Sequence, residues 1–105
     1  MQVENVSVDT VKEWVDNGDA ILIDVREPNE FKQVHIPGAT LLPLGSITAS
    51  DLPNVDEKIV IYCLKGGRGS QACVKVATEG KATVFNLEGG IEAWVKAGLP
   101  VNQDA

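Results

Sequence analysis

One histidine, two cysteines and no apolar run long enough to cross a membrane leave several function classes closed to this 105-residue chain. His35 stands alone, and Cys63 and Cys73 lack any metal-ligand spacing, so there is no metal signature. Two cysteines ten residues apart do not make a disulfide framework. A membrane span would need about 20 apolar residues in a row. The start, Met1-Gln2-Val3-Glu4-Asn5, has neither a basic cluster nor an apolar stretch and does not read as a signal peptide. Together with the unpaired cysteines, this predicts a cytoplasmic setting. Positive charge is also scarce. With 9 Lys and Arg against 15 Asp and Glu, the net charge is −6, which argues against nucleic acid and anionic membranes as partners. Repeats, linkers and low-complexity segments are absent, and the length suits one domain, residues 1–105, with a single core.

What is present is an alternation of short apolar runs with helical patterns. Ser7 is a plausible N-cap for a helix carrying Val11, Trp14 and Val15 and stopped by Gly18. Ala20 to Asp24 reads as a strand, Pro28 to Phe31 as a helical turn, and Pro37-Gly38 as a break. Thr40 to Leu42 is a short strand, and Ile47 to Leu52 a further helical turn. Lys58 to Tyr62 is a β-branched strand, followed by a helix over Ser70 to Glu79 with Ala72, Cys73, Val76 and Ala77 on its apolar face. Ala82 to Asn86 is another strand, and a turn at Gly89-Gly90 leads into a helix from Ile91 to Ala97. Strands that are apolar throughout and alternate with helices predict an α/β fold, a central parallel sheet with helices on both faces. Ligands of such sheets bind beyond the carboxyl ends of the strands, where Asp24 and Cys63 stand.

The segment Cys63-Leu64-Lys65-Gly66-Gly67-Arg68-Gly69-Ser70 joins a strand to a helix. Backbone N–H groups and the positive helix end converge at such a junction, and they favour a thiolate, the nucleophilic form of cysteine. Three glycines in four positions imply a tight turn or a close approach, and Gly66 and Gly67 would let the loop turn its amides inward. Lys65 and Arg68 supply two cations. Cys73, on the apolar helix stripe, reads instead as core, as do Trp14 and Trp94.

These pieces resemble a single-domain rhodanese of the thiosulfate sulfurtransferase type. The resemblance rests on Leu22-Ile23-Asp24-Val25-Arg26-Glu27, Glu30-Phe31, His35-Ile36-Pro37-Gly38-Ala39, the Cys63 to Arg68 loop and Leu87-Glu88-Gly89-Gly90, with Ala93-Trp94 and Gly98-Leu99-Pro100-Val101 beyond. It covers nearly the whole chain, and five motifs in the right order make it specific. It implies a parallel sheet with helices on its faces and sulfane-sulfur transfer through a persulfide on Cys63. Leu64, Lys65, Gly66, Gly67 and Arg68 would bind the donor, thiosulfate or a persulfide, and a thiol, cyanide or a partner protein would accept the sulfur. No cofactor is implied. Asp24 and Arg26 would support the site structurally, Arg26 by pairing with Glu30, and His35 would brace its turn. Arg68 would either hold the donor or brace the loop on a carboxylate.

Two function classes follow, an enzyme acting on thiosulfate and a carrier module loaded and unloaded by partner proteins. Lys65 and Arg68 favour the first, and the apolar Leu64 at the loop rim favours the second. A third, phosphatase-like reading fits poorly: four residues separate Cys63 from Arg68, one fewer than a phosphate-enclosing loop of the related phosphatases, and no acid for a leaving alkoxide is evident. Against the family pattern, Leu64 replaces an arginine or other polar residue and Val34 a glycine. Glu30 stands where some two-domain thiosulfate enzymes carry a substrate-binding arginine.

Overall fold

Continuous apolar strands such as Ile59-Val60-Ile61-Tyr62 have no solvent side, and the fold provides none. In the computed structural model, which describes residues 2–80 and 83–103, these four residues are at most 2% exposed. The strands are β1 (Gln2–Val6), β2 (Ala20–Asp24), β3 (Thr40–Leu41), β4 (Lys58–Tyr62) and β5 (Thr83–Leu87). The helices are α1 (Val8–Asp16), α2 (Pro28–Gln33), α3 (Gly67–Thr78) and α4 (Gly90–Lys96), with a 3-10 turn at Ala49–Asp51. All strand pairs are parallel, in the order β1-β5-β4-β2-β3. The expected architecture is the observed one.

Local chemistry sets the helix starts. The Ser7 side chain accepts the Thr10 N–H at 3.3 Å to cap α1. Pro28 occupies the first turn of α2, and the Glu30 carboxylate reaches back to the Glu27 N–H at 3.0 Å.

The sheet alternates its side chains between two cores. On one face Ile23, Val25, Ile59, Ile61, Cys63 and Val84 meet Ala72, Cys73, Val76 and Ala77 of α3. On the other, Leu22, Val60, Tyr62 and Leu87 meet Val11 of α1 with Ile91 and Trp94 of α4. The buried positions of α3, Gly69, Ala72, Cys73, Val76 and Ala77, recur at helical spacing. Burial worth roughly 1.5–3 kcal/mol for a side chain such as Val76 fixes this helix, and with it the residues at its head.

Three elements differ from expectation. β1 is an edge strand whose Val3 and Val6 are only half-buried, and its pairing with β5 comes from register, not from an apolar run. α3 begins at Gly67, three residues before Ser70, because Gly66 adopts a left-handed turn (φ 116°) that starts the helix early. β5 runs to Leu87, and Ala82, at the expected start, lies outside the described residues.

Candidate active site

Cys63 directly follows β4, and its side chain continues the Ile59, Ile61 alternation toward α3, 1% exposed. Its Sγ accepts the N–H of Gly66 at 3.0 Å. The next N–H groups, those of Gly67, Arg68 and Gly69, occupy the first turn of α3, where a helix offers no internal acceptor. The carbonyls on the opposite side of the loop are occupied: Cys63 O accepts from Ile91 N–H at 2.9 Å and Leu64 O from Glu92 N–H at 3.1 Å. The loop thus turns its acceptors onto the head of α4 and leaves donors for the sulfur.

This arrangement explains the second glycine pair. Gly90 has φ 62°, and a methyl placed on it would come within 3.0 Å of both the Cys63 and Leu64 carbonyls. Gly90→Ala should therefore cost about 3 kcal/mol, from left-handed strain and overpacking together. Gly18→Ala shares the positive φ (73°) but meets nothing within 4 Å, so it should cost about 1 kcal/mol. Paired denaturant melts separate the two effects, and equal losses would exclude the loop contact as the cause.

Within the cysteine loop, the glycines differ in what they do. Gly66 is required by its backbone angle, and Gly69 by space, since a methyl there would come within 3.0 Å of the Asn86 Oδ1. A methyl on Gly67 would meet nothing within 4 Å. Asn86, 4% exposed, lies beneath the loop: its Nδ2 donates to Asn5 Oδ1 at 3.0 Å and Gly66 O at 3.4 Å. Its Oδ1 has no hydrogen-bond partner among the described residues. The signal that could have marked it is a polar residue in an otherwise apolar, buried strand.

Leu64 and Lys65 are exposed at the rim. Arg68, with its side chain 36% exposed, places Nη1 on Glu30 Oε1 at 2.7 Å and Nη2 on Glu30 Oε2 at 2.9 Å, a two-pronged pair. It is also close enough to interact with the Cys63 charge. Arg26 does not pair with Glu30 as expected. Its Nε lies 3.0 and 3.1 Å from the two Asp24 oxygens and its Nη2 2.7 Å from Oδ2, all of it buried. Two residues apart at the end of β2, they reach each other without leaving the core, whereas Glu30 is drawn across to α3. Arg26 Nη2 also donates to Val34 O at 2.6 Å, and Ile36 N–H donates to the Tyr62 hydroxyl at 3.1 Å. Burial, with the nearby Asp24 charge, pushes that phenol above the ordinary tyrosine range. These bonds and the His35 Nδ1 contact to Phe31 O at 2.9 Å hold the His35 to Ala39 turn in place.

The Arg68 guanidinium, mainly by hydrogen bonding, lowers the Glu30 carboxyl from 4.5 to about 2. A carboxyl whose folded pKa is lowered stabilises the fold above its unfolded value and loses that stability as pH falls through the folded one. Wild type should therefore exceed Glu30→Gln by about 1 kcal/mol near neutrality, a value that reflects solvent screening of the half-exposed pair. The gap should close between about pH 4.5 and 2. Denaturant melts of both proteins across that range test it, and a gap independent of pH would contradict it.

Cys73 is fully buried on α3, and burial, aided by the Cys63 charge, pushes its thiol up to about 12. It is packed core. Among the described residues no group of three or more His, Cys, Asp or Glu could hold a metal ion, and no helix is long and apolar enough to cross a membrane.

The rhodanese-like domain family model matches residues 7–97. The chain belongs to the rhodanese-like domain family. A sulfurtransferase of Allochromatium vinosum is 43% identical over 88 residues, 82% of this chain and 81% of that protein. A thiosulfate sulfurtransferase of Pseudoalteromonas translucida is 29% identical, covering 92% of this chain and 93% of its own length. A putative sulfur carrier protein of Bacillus subtilis is 32% identical, over 88% of this chain and 51% of the relative. Other relatives are longer proteins, and this chain spans 45% and 24% of two of them. A solved rhodanese-like domain from Anabaena superposes with a TM-score of 0.84 at 25% identity, covering 94% of this chain and 78% of the other. Membership of this rhodanese-like family, with relatives named as sulfurtransferases, supports sulfur transfer in general.

Proposed function

We propose that this chain is a thiosulfate sulfurtransferase-type enzyme, a one-domain cytoplasmic transferase that carries sulfane sulfur as a persulfide on Cys63. The observation that carries the reading is the Cys63 sulfur bound by the Gly66 N–H at the head of α3, with the loop carbonyls held away from it by α4. Attack by the Cys63 thiolate on the donor's outer sulfur forms one S–S bond while the donor's own S–S bond breaks, and the leaving group takes that electron pair. For thiosulfate the leaving group is sulfite, a stable anion that needs no proton, so a site without an adjacent acid suffices. The loop amides from Leu64 to Arg68 stabilise the charge on the terminal sulfur, each well-aimed donor contributing roughly 3 kcal/mol by analogy with oxyanion holes. Lys65 attracts the anionic donor, and Arg68 braces the loop through Glu30.

A second reading, a carrier module that exchanges sulfur with partner proteins, is favoured by one feature. Leu64 is 37% exposed at the rim of the site, where an apolar side chain suits contact with a protein surface. The test is mass spectrometry of the protein after incubation with thiosulfate or a small persulfide. The proposal expects a gain of one sulfur atom, removed by cyanide or a thiol. No gain from either small donor, with loading only by a protein persulfide, would favour the carrier.

A further inference from the structure

Arg68 is the natural anion clamp of this loop, a planar fork matched to two oxygens. Both of its prongs are already filled by the Glu30 carboxylate, at 2.7 and 2.9 Å. α2 holds Glu30 in this position from the other side, since Oε1 also accepts the Glu27 N–H at 3.0 Å. Of the three charges carried by Lys65, Arg68 and Glu30, the sum is +1 instead of the +2 that the loop alone would present. Thiosulfate brings two negative charges to a thiolate that already carries one. An organic persulfide brings one, on the sulfur that transfers.

We infer that Glu30 is a specificity-determining residue that sets this site for singly charged organic persulfides over the thiosulfate dianion. The inference rests on the sulfur-transfer reading and names its donor. The step is Cys63–S⁻ with R–S–S⁻ giving Cys63–S–S⁻ and R–S⁻: one S–S bond forms, one breaks, and the total charge stays at −2. With thiosulfate the same step gathers three negative charges around a net charge of +1. Because a Coulomb interaction is linear in donor charge, removing the Glu30 charge helps a dianion by twice the free energy that it helps a monoanion.

The experiment compares kcat/KM for thiosulfate and for the persulfide of 2-mercaptoethanol in wild type, Glu30→Gln and Arg68→Gln, with thermal melts alongside. Wild type should favour the persulfide. Glu30→Gln should raise thiosulfate turnover by about tenfold and persulfide turnover by about threefold, so that the ratio of the two shifts toward thiosulfate. Arg68→Gln, which removes a cation and leaves Glu30, should shift the ratio the other way. Equal changes for both donors in both variants would show Glu30 to be a loop brace alone and would overturn the inference. Failure of the underlying reading would look different. Neither donor would add sulfur to Cys63 in any of the three proteins, and the specificity assignment would fall with it.

Discussion

Cys63→Ser is expected to abolish sulfur loading altogether, a loss of at least about a thousandfold, on the scale of removing an enzymic nucleophile. Cys73→Ser should load normally. The contrast follows from where the two thiols sit. Cys63 lies at the junction of β4 and α3 with an N–H aimed at its sulfur. Cys73 is enclosed among Val76, Ala77 and the sheet, where burial holds it protonated up to about 12. Serine at Cys73 places a hydroxyl among apolar neighbours and should lower stability by about 1–3 kcal/mol without touching the transfer step. Intact-mass spectra of the two variants after incubation with a sulfur donor settle the matter. Loading that survives in Cys63→Ser and vanishes in Cys73→Ser would reverse the assignment.

The largest stability loss is expected at Asp24. Asp24→Asn leaves the Arg26 guanidinium buried, 2% exposed, without its counter-charge, and breaking such a pair costs about 3–5 kcal/mol. For a domain of this size the midpoint of thermal unfolding should fall on the order of 15–20 °C. Asp24→Asn combined with Arg26→Met should recover part of the loss, because no buried charge then lacks a partner. Differential scanning calorimetry of the single and double variants is the measurement. A double variant less stable than the single would mean that Arg26 contributes mainly through its Val34 and Tyr62 contacts.

Much of this was legible in the chain itself, and the exceptions share a physical cause. β2, β4 and α3 declare themselves because each must bury a face, which leaves an apolar run or a helical stripe in the sequence. The turn from strand to helix after Cys63 was legible because three glycines crowd behind it. β1 was not, since an edge strand with Glu4 and Asn5 exposed is specified by its partner's register and not by its own composition. The partner of Glu30 was misread for a related reason. Arg68 lies 38 residues from it, and no local pattern indicates which of two arginines a carboxylate meets in space. Arg26 was closer in sequence and was assigned to it, yet Asp24 is nearer still and shares its buried strand end. Asn86 was available in principle, as a lone amide within Thr83-Val84-Phe85-Asn86-Leu87.

The bonds from Ile91 and Glu92 to the carbonyls of Cys63 and Leu64 carry a consequence for how the protein comes into being. Chains emerge from the ribosome amino end first, so Cys63 is made well before the residues that hold its loop carbonyls. Until residues 90–92 arrive and dock, the carbonyls of Cys63 and Leu64 lack the donors that hold them on an unfinished sheet. The finished form of the Cys63 loop therefore reports that this later-made part of the domain has found its place. A chain cut short before residue 90 would keep the thiol and lack the bonds that hold the loop carbonyls.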